Sequence, residues 1–202
     1  MVKIHSMEIT NEITEILNPA KTVVLVWDVQ NRLVNNIFNK EDFMAQTKAV
    51  LASARRQAVQ VIYSRITPLP PQFESPVRKY FFRNMAAATS NPAPDALGLT
   101  IEPKEEDIVI PKNTPSMFIG TNFELLLRNG GKTTIVLTGI ATEFGVESTA
   151  RDAFNRGFFP VIISDAVSSM NKDGHFRSLE NMKSMSIILA AAELDLVWKS
   201  NF

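Results

Sequence analysis

Three short stretches carry residues that could do chemistry. Asp28 closes the apolar run Val23-Val24-Leu25-Val26-Trp27. A carboxyl group at the end of a buried strand is partly desolvated, which raises its pKa and suits it to proton transfer. The same position suits an aspartate that caps a helix or anchors a loop, so both readings stay open. Lys112 follows Ile108-Val109-Ile110-Pro111. An ammonium beside Asp28 would keep the carboxylate ionised or stabilise a developing oxyanion, whereas an exposed lysine with no such duty is the commoner use of the residue. The third stretch, residues 137–153, reads as strand, tight turn and helix start. Backbone N–H groups at a helix N-terminus can receive an anion.

The elements that must position these residues are legible as an alternation. Short β-branched apolar runs at 22–27, 59–63, 108–110, 133–137, 159–163 and 186–189 are nearly continuous in apolar character and end in polar, Gly or Pro residues. Strands buried on both faces of a parallel sheet have this signature. Between them, residues 43–57, 122–129, 143–155 and 174–183 carry helical patterns, two of which stop at Gly130-Gly131 and before Gly157. The expected fold is a three-layer, doubly wound, Rossmann-like α/β domain spanning residues 1–202, with a mainly parallel six-stranded sheet and helices on both faces. Residues 66–100 break the pattern. Pro68, Pro70, Pro71, Pro76, Pro92 and Pro94 exclude one regular element there, leaving either a functional or interface loop or a solvated excursion.

Bulk composition narrows the function. Lys and Arg total 21, as do Asp and Glu, and the bases form no stripe, so nucleic acid is not the expected partner. The first 19 residues mix Asn11, Glu12 and Glu15 among apolar ones and do not read as a signal peptide. No apolar run approaches the roughly 20 residues that span a bilayer. No membrane partner is therefore expected, and a cytoplasmic location is. The chain has no cysteine, which removes disulfides, thiolate metal sites and any cysteine nucleophile.

Taken together, the three stretches resemble the isochorismatase-like hydrolases, a family that includes nicotinamidases, N-carbamoyl amidohydrolases and isochorismatases. Asp28-Val29-Gln30-Asn31 is similar to the family's Asp-Met-Gln-Asn motif. Lys112 precedes a segment, 113–122, similar to its Ser-Ala-Phe-x-x-Thr stretch. Residues 138–153 follow its Thr-Gly-x-x-Thr-x-x-Cys-Val-x-x-Thr-Ala-x-Asp-Ala signature, and Asp165-Ala166 and His175 match later positions. The resemblance runs from about Lys21 to Leu194.

In thiol members of the family, an Asp-Lys-Cys triad attacks a carbonyl carbon, and amides around a cis peptide hold the oxyanion. The resemblance therefore implies Asp28 and Lys112 as catalytic residues, Ile140 and Ala141 as the cis-peptide and oxyanion region, and Gly145 at the nucleophile's position. Glycine cannot attack. Isochorismatases proper also carry glycine there. They cleave a vinyl ether through protonation by the Asp and attack by water, which implies Asp28 as general acid, Lys112 as its electrostatic partner and Gly145 leaving room for substrate. The chain departs from them in residues 63–67, where their glutamine is missing, and at Ala141, where they have an aromatic side chain. The zinc group of nicotinamidases is unmatched as well, since the only histidines are His5, expected in an N-terminal helix or tail, and His175, expected to be structural. No metal or cofactor is expected. Thr142, Ser116, Ser148 and Thr149 read as packing or capping residues rather than substitute nucleophiles. The alternative to a thiol-free hydrolase of a small molecule is an inactive member that binds a small ligand or a partner chain. The apolar C-terminal half and the resemblance both suggest a homodimer or larger homo-oligomer, and Phe73, Tyr80, Phe81 and Phe82 in the Pro-rich insertion are candidate pocket-lid or subunit-contact residues.

Overall fold

The computed structural model describes residues 2–4, 7–9, 12–67, 69–81 and 95–201, with residues 2–4, 7–9 and 81 given by backbone alone. Near the N-terminus, β1 (Val2–Ile4) and β2 (Met7–Ile9) pair as a small two-stranded antiparallel sheet rather than a helix. The period-two alternation Val-Lys-Ile and Met-Glu-Ile explains the correction. His5 itself lies outside the described residues.

A short helix α1 (Ile13–Ile16) leads into β3 (Thr22–Trp27). Then come α2 (Asn31–Val34), α3 (Lys40–Arg56), β4 (Gln60–Ile66), α4 (Pro76–Phe81) and β5 (Ile108–Lys112). The second half runs α5 (Phe123–Asn129), β6 (Thr134–Ile140), α6 (Glu147–Asn155), β7 (Phe159–Ser168), α7 (Lys172–Met182), β8 (Ile187–Leu189) and α8 (Ala191–Asn201). Strands β3 to β8 form one sheet in the order β5-β4-β3-β6-β7-β8, every pair parallel. This is the expected doubly wound sheet, with six strands and helices on both faces. The winding reverses between β3 and β6, so the crevice at their carboxyl ends is where an open α/β sheet receives a ligand.

Alternation along the strands builds two cores. Val24 and Val26 of β3 face a layer that includes Phe43 and Val50 of α3 and Leu194 and Trp198 of α8. Val23, Leu25 and Trp27 face the opposite layer, with Phe123 and Leu127 of α5 and Ala150 and Ala153 of α6. Both faces of β3 and β6 are buried throughout, which accounts for their continuous apolar runs. Edge strand β5 tolerates Pro111 because an edge position needs one ladder fewer.

The Pro-rich insertion carries a 3₁₀ turn at Pro71–Phe73 and helix α4. Phe73 and Tyr80 are exposed, and Phe82, Pro92 and Pro94 lie outside the described residues, as does Pro68. Its returning limb is tied back to the end of β3. Asn31 N donates to Gly98 O at 3.0 Å and Thr100 N to Val29 O at 2.8 Å. Gln30 Nε2 reaches Leu97 O at 2.7 Å, while Gln30 Oε1 accepts from Ile66 N at 2.9 Å. The polar residues after Asp28 thus anchor the insertion.

Candidate active site

Strand order explains why Asp28 and Lys112 meet. Asp28 lies immediately after β3 and Lys112 ends β5, with β4 between them. Lys112 Nζ is 2.6 Å from Asp28 Oδ2, and both side chains are only 3% exposed. Ser64, supplied by the intervening β4 and fully buried, closes the gap. Its hydroxyl donates to Asp28 Oδ1 at 2.6 Å and accepts from Asp28 N at 3.0 Å. Asp28 has φ 46°, a left-handed backbone conformation that Asp tolerates better than most residues. Lys112 Nζ also donates to Thr114 O at 3.2 Å and lies 4.0 Å from the centre of the Trp27 ring.

Burial dominates the electrostatics of this pair. It pushes the Asp28 carboxyl above its ordinary value, against the opposing pull of Lys112 and Ser64. It also pushes the Lys112 ammonium below its own, against the pull of Asp28. Each partner is drawn toward its neutral form, so moving a proton onto or off Asp28 costs less than at an exposed aspartate–lysine pair. A carboxyl group in that condition can act as acid or base.

The turn after β6 lies against Trp27, the residue before Asp28. The Ile140–Ala141 peptide is cis, Ile140 is buried and Ala141 half-buried. A single π-helical turn, Thr142–Val146, precedes α6, which therefore starts later than the pattern at 143–155 suggests. Thr142 Oγ1 donates to Ser168 O at 3.1 Å and lies 2.8 Å from His175 Nδ1. Ser178 Oγ donates to Thr142 O at 3.2 Å. His175 is buried, and burial lowers its pKa against the opposing effect of Glu143.

Gly145 does not leave open room. A Cβ built on it would fall inside the indole of Trp27, at Nε1, Cε2 and Cζ2. Trp27 fills that volume because it is the last inward-facing residue of β3 on the α6 side of the sheet. The expectation of substrate space over Gly145 is corrected accordingly.

The remaining hydroxyls have structural partners. Ser116 Oγ donates to Asp152 Oδ2 at 2.5 Å, and buried Thr149 accepts from Met117 N at 3.3 Å. Ser148 is half-buried on α6. Among the described residues, no group of three His, Asp or Glu side chains is placed to hold a metal ion, and no helix is long and apolar enough to cross a membrane. A groove of about 540 Å³ lined by Phe154, Phe159, Met185 and Ile187, among others, opens at the amino ends of β7 and β8, the far end of the sheet from Asp28.

Trp27 and Ser64 do not stand out by sequence. A serine inside the apolar run of β4, one strand away from a strand-ending aspartate, is the signal that could have found the second. Ser64→Ala is expected to lower stability by about 1–3 kcal/mol, because Asp28 N–H and Oδ1 both lose a buried partner. Urea unfolding at neutral pH measures it, and a loss within error of zero would mean water replaces the hydroxyl.

The isochorismatase domain family matches residues 22–193. A ureidoacrylate amidohydrolase, RutB, of Rhizobium rhizogenes is 30% identical over 182 residues, covering 78% of this chain and 74% of that protein. Among solved structures, a cysteine hydrolase from Pseudomonas syringae pv. phaseolicola superposes with a TM-score of 0.82 at 23% identity, over 92% of this chain and 95% of the other. An isochorismatase family protein from Burkholderia thailandensis gives a TM-score of 0.71 at 28% identity, over 90% and 97%. With the parallel sheet, the strand-ending Asp28 and Lys112 and the turn at 140–146 all inside the matched residues, the chain belongs to the isochorismatase family.

Proposed function

We propose that this chain is a hydrolase of a small molecule that works without a covalent intermediate. Asp28 serves as general acid and base, with Lys112 as its electrostatic partner. The observation that carries this reading is the buried Asp28–Lys112 contact of 2.6 Å at the carboxyl end of the sheet. Burial holds the carboxyl where it can pass a proton. Asp28 gives its proton to the substrate, at the leaving nitrogen of an amide or ureido group or at the β-carbon of an enol ether, and water attacks the carbon left electron-poor. Asp28 then recovers a proton from that water, and Lys112 offsets the negative charge on Asp28 between the two transfers. Similarity to a ureidoacrylate amidohydrolase makes small ureido acids and amides the first compounds to offer, with small enol ethers beside them.

Asp28→Asn keeps the shape and the left-handed backbone while removing the titratable proton. It is expected to lower the turnover of whichever compound is hydrolysed by about 10²–10⁴-fold, with near-UV circular dichroism unchanged. An unchanged rate in a folded variant would refute the acid–base role.

A second reading, a member that binds a small molecule without turning it over, is favoured by one observation: the indole that fills the volume over Gly145. Binding of these compounds without product formation is the result that would select it.

A further inference from the structure

Trp27 lies against two parts of this site. One edge of its indole occupies the volume of any side chain at position 145, and one face lies against Lys112. It is almost wholly buried and held in a strand paired on both sides, so it cannot move aside cheaply. We propose that Trp27 is the specificity-determining residue of the site. It presents an indole in the place where a side chain from the turn would stand beside Lys112, and so confines the site to reactions in which water attacks directly. The proposal rests on Asp28 and Lys112 as the reacting pair, and it deepens that reading by saying which class of chemistry the pair can serve. Substrates whose bond breaks on protonation followed by attack of water are admitted. Those that need a nucleophile from the protein are excluded by volume, not only by the absence of a thiol.

Because two side chains compete for one volume, a double variant tests the assignment. Gly145→Cys alone places its Cβ inside the indole, and Trp27→Val alone leaves the indole's space empty. Each is expected to melt below the wild type. Together they are expected to melt above either single variant, because each change supplies what the other lacks. Gly145→Ala with and without Trp27→Leu repeats the comparison with smaller changes, should Gly145→Cys fail to fold. Additive losses in both pairs would overturn the proposal.

A second readout concerns reactivity. The chain has no cysteine, so Gly145→Cys gives the double variant its single thiol. Iodoacetamide reports on it directly: the thiolate displaces iodide, forms a carbon–sulfur bond and leaves the thiol proton to solvent. A thiol in the vacated volume stands within a few ångströms of Lys112 Nζ, and a neighbouring cation favours the thiolate. Alkylation is expected to show a midpoint below the value of about 8.5 for a free cysteine, and adding Lys112→Met should move it back up. A midpoint at or above that of a free cysteine, insensitive to Lys112, would show that the volume is not beside Lys112 and overturn the assignment. Neither measurement needs hydrolytic turnover, so a failure of this assignment is told apart from a failure of the acid–base reading.

Discussion

Replacing Lys112 with methionine is expected to cost about 3–5 kcal/mol of stability, because it leaves the buried Asp28 carboxylate without its counter-charge. For a chain of this size that corresponds to a fall in melting temperature of about 6–20 °C. Methionine keeps the length and apolar stem of lysine, so packing against Trp27 changes little and charge dominates the difference. The loss has a pH signature. Asp28 is already raised above the ordinary carboxylate value by burial, and Lys112 is the largest influence holding it down. Removing Lys112 lifts the folded value further. A group whose folded pKa exceeds its unfolded one contributes stability that is fully present below the unfolded pKa and lost as pH rises through the folded one. The deficit of the variant should therefore be small near an acidic pH of about 4, the unfolded carboxyl's own value, and grow toward neutral pH. Urea titrations at both values would resolve it.

The double change Asp28→Asn with Lys112→Met separates structure from chemistry. A neutral amide keeps the Ser64 hydrogen bond and leaves no orphaned charge, and replacing both members of a buried pair is often close to neutral. At least half of the lost stability should return, while hydrolysis does not. A double variant no more stable than Lys112→Met would mean that the uncompensated charge is not what destabilises the single variant.

How far this site is legible in sequence follows from what each residue does locally. Asp28 and Lys112 stand out because each ends an apolar run, and the ends of parallel strands converge at one crest. Four of the apolar runs, those of β4 to β7, are shorter than the strands they mark. β4 extends to Ile66 through Ser64 and Arg65, and β7 to Ser168 through Ser164 and Asp165, because polar residues near the carboxyl ends of these strands are satisfied by neighbouring segments rather than excluded from the ladder. Asp165 Oδ1, for example, accepts from Ala191 N at 2.9 Å. The terminal helix α8 is not distinguishable by pattern, since Ala190 to Ala192 merge the apolar run of β8 with the helical spacing of Ala191, Leu194 and Trp198.

Trp27 is hidden for a different reason. In an apolar run it reads as core, and its role depends on which residue of a distant turn lies opposite. Only the strand order supplies that. Position 145 illustrates the same limit: the missing nucleophile is visible in the sequence, but the object occupying its place is not.

The same tryptophan makes a second glycine indispensable, and there the effect should be larger. Gly139 pairs with Trp27 across β3 and β6, the two central strands. Its φ is 123°, a conformation L side chains rarely adopt, and a Cβ on it would collide with the carbonyl oxygen, carbonyl carbon and Cβ of Trp27. Gly139→Ala is expected to cost more than about 4 kcal/mol, in the range reserved for mutations that strain the backbone and overpack the core together, and to appear as loss of soluble protein or a transition in much lower urea. Gly157→Ala is the control. It has φ 78° with nothing within 4 Å of the added carbon, so only the backbone penalty of about 1–2 kcal/mol applies. The two glycines that face Trp27 also differ in kind. At position 145 the obstacle is the indole, and shortening Trp27 to valine relieves it. At position 139 the obstacle is the Trp27 backbone and Cβ, which valine retains, so Trp27→Val should leave Gly139→Ala unrescued. Rescue there would mean that the β3–β6 ladder yields at its carboxyl end, and that Asp28, the next residue along, is held less rigidly than its contacts with Ser64 and Lys112 imply.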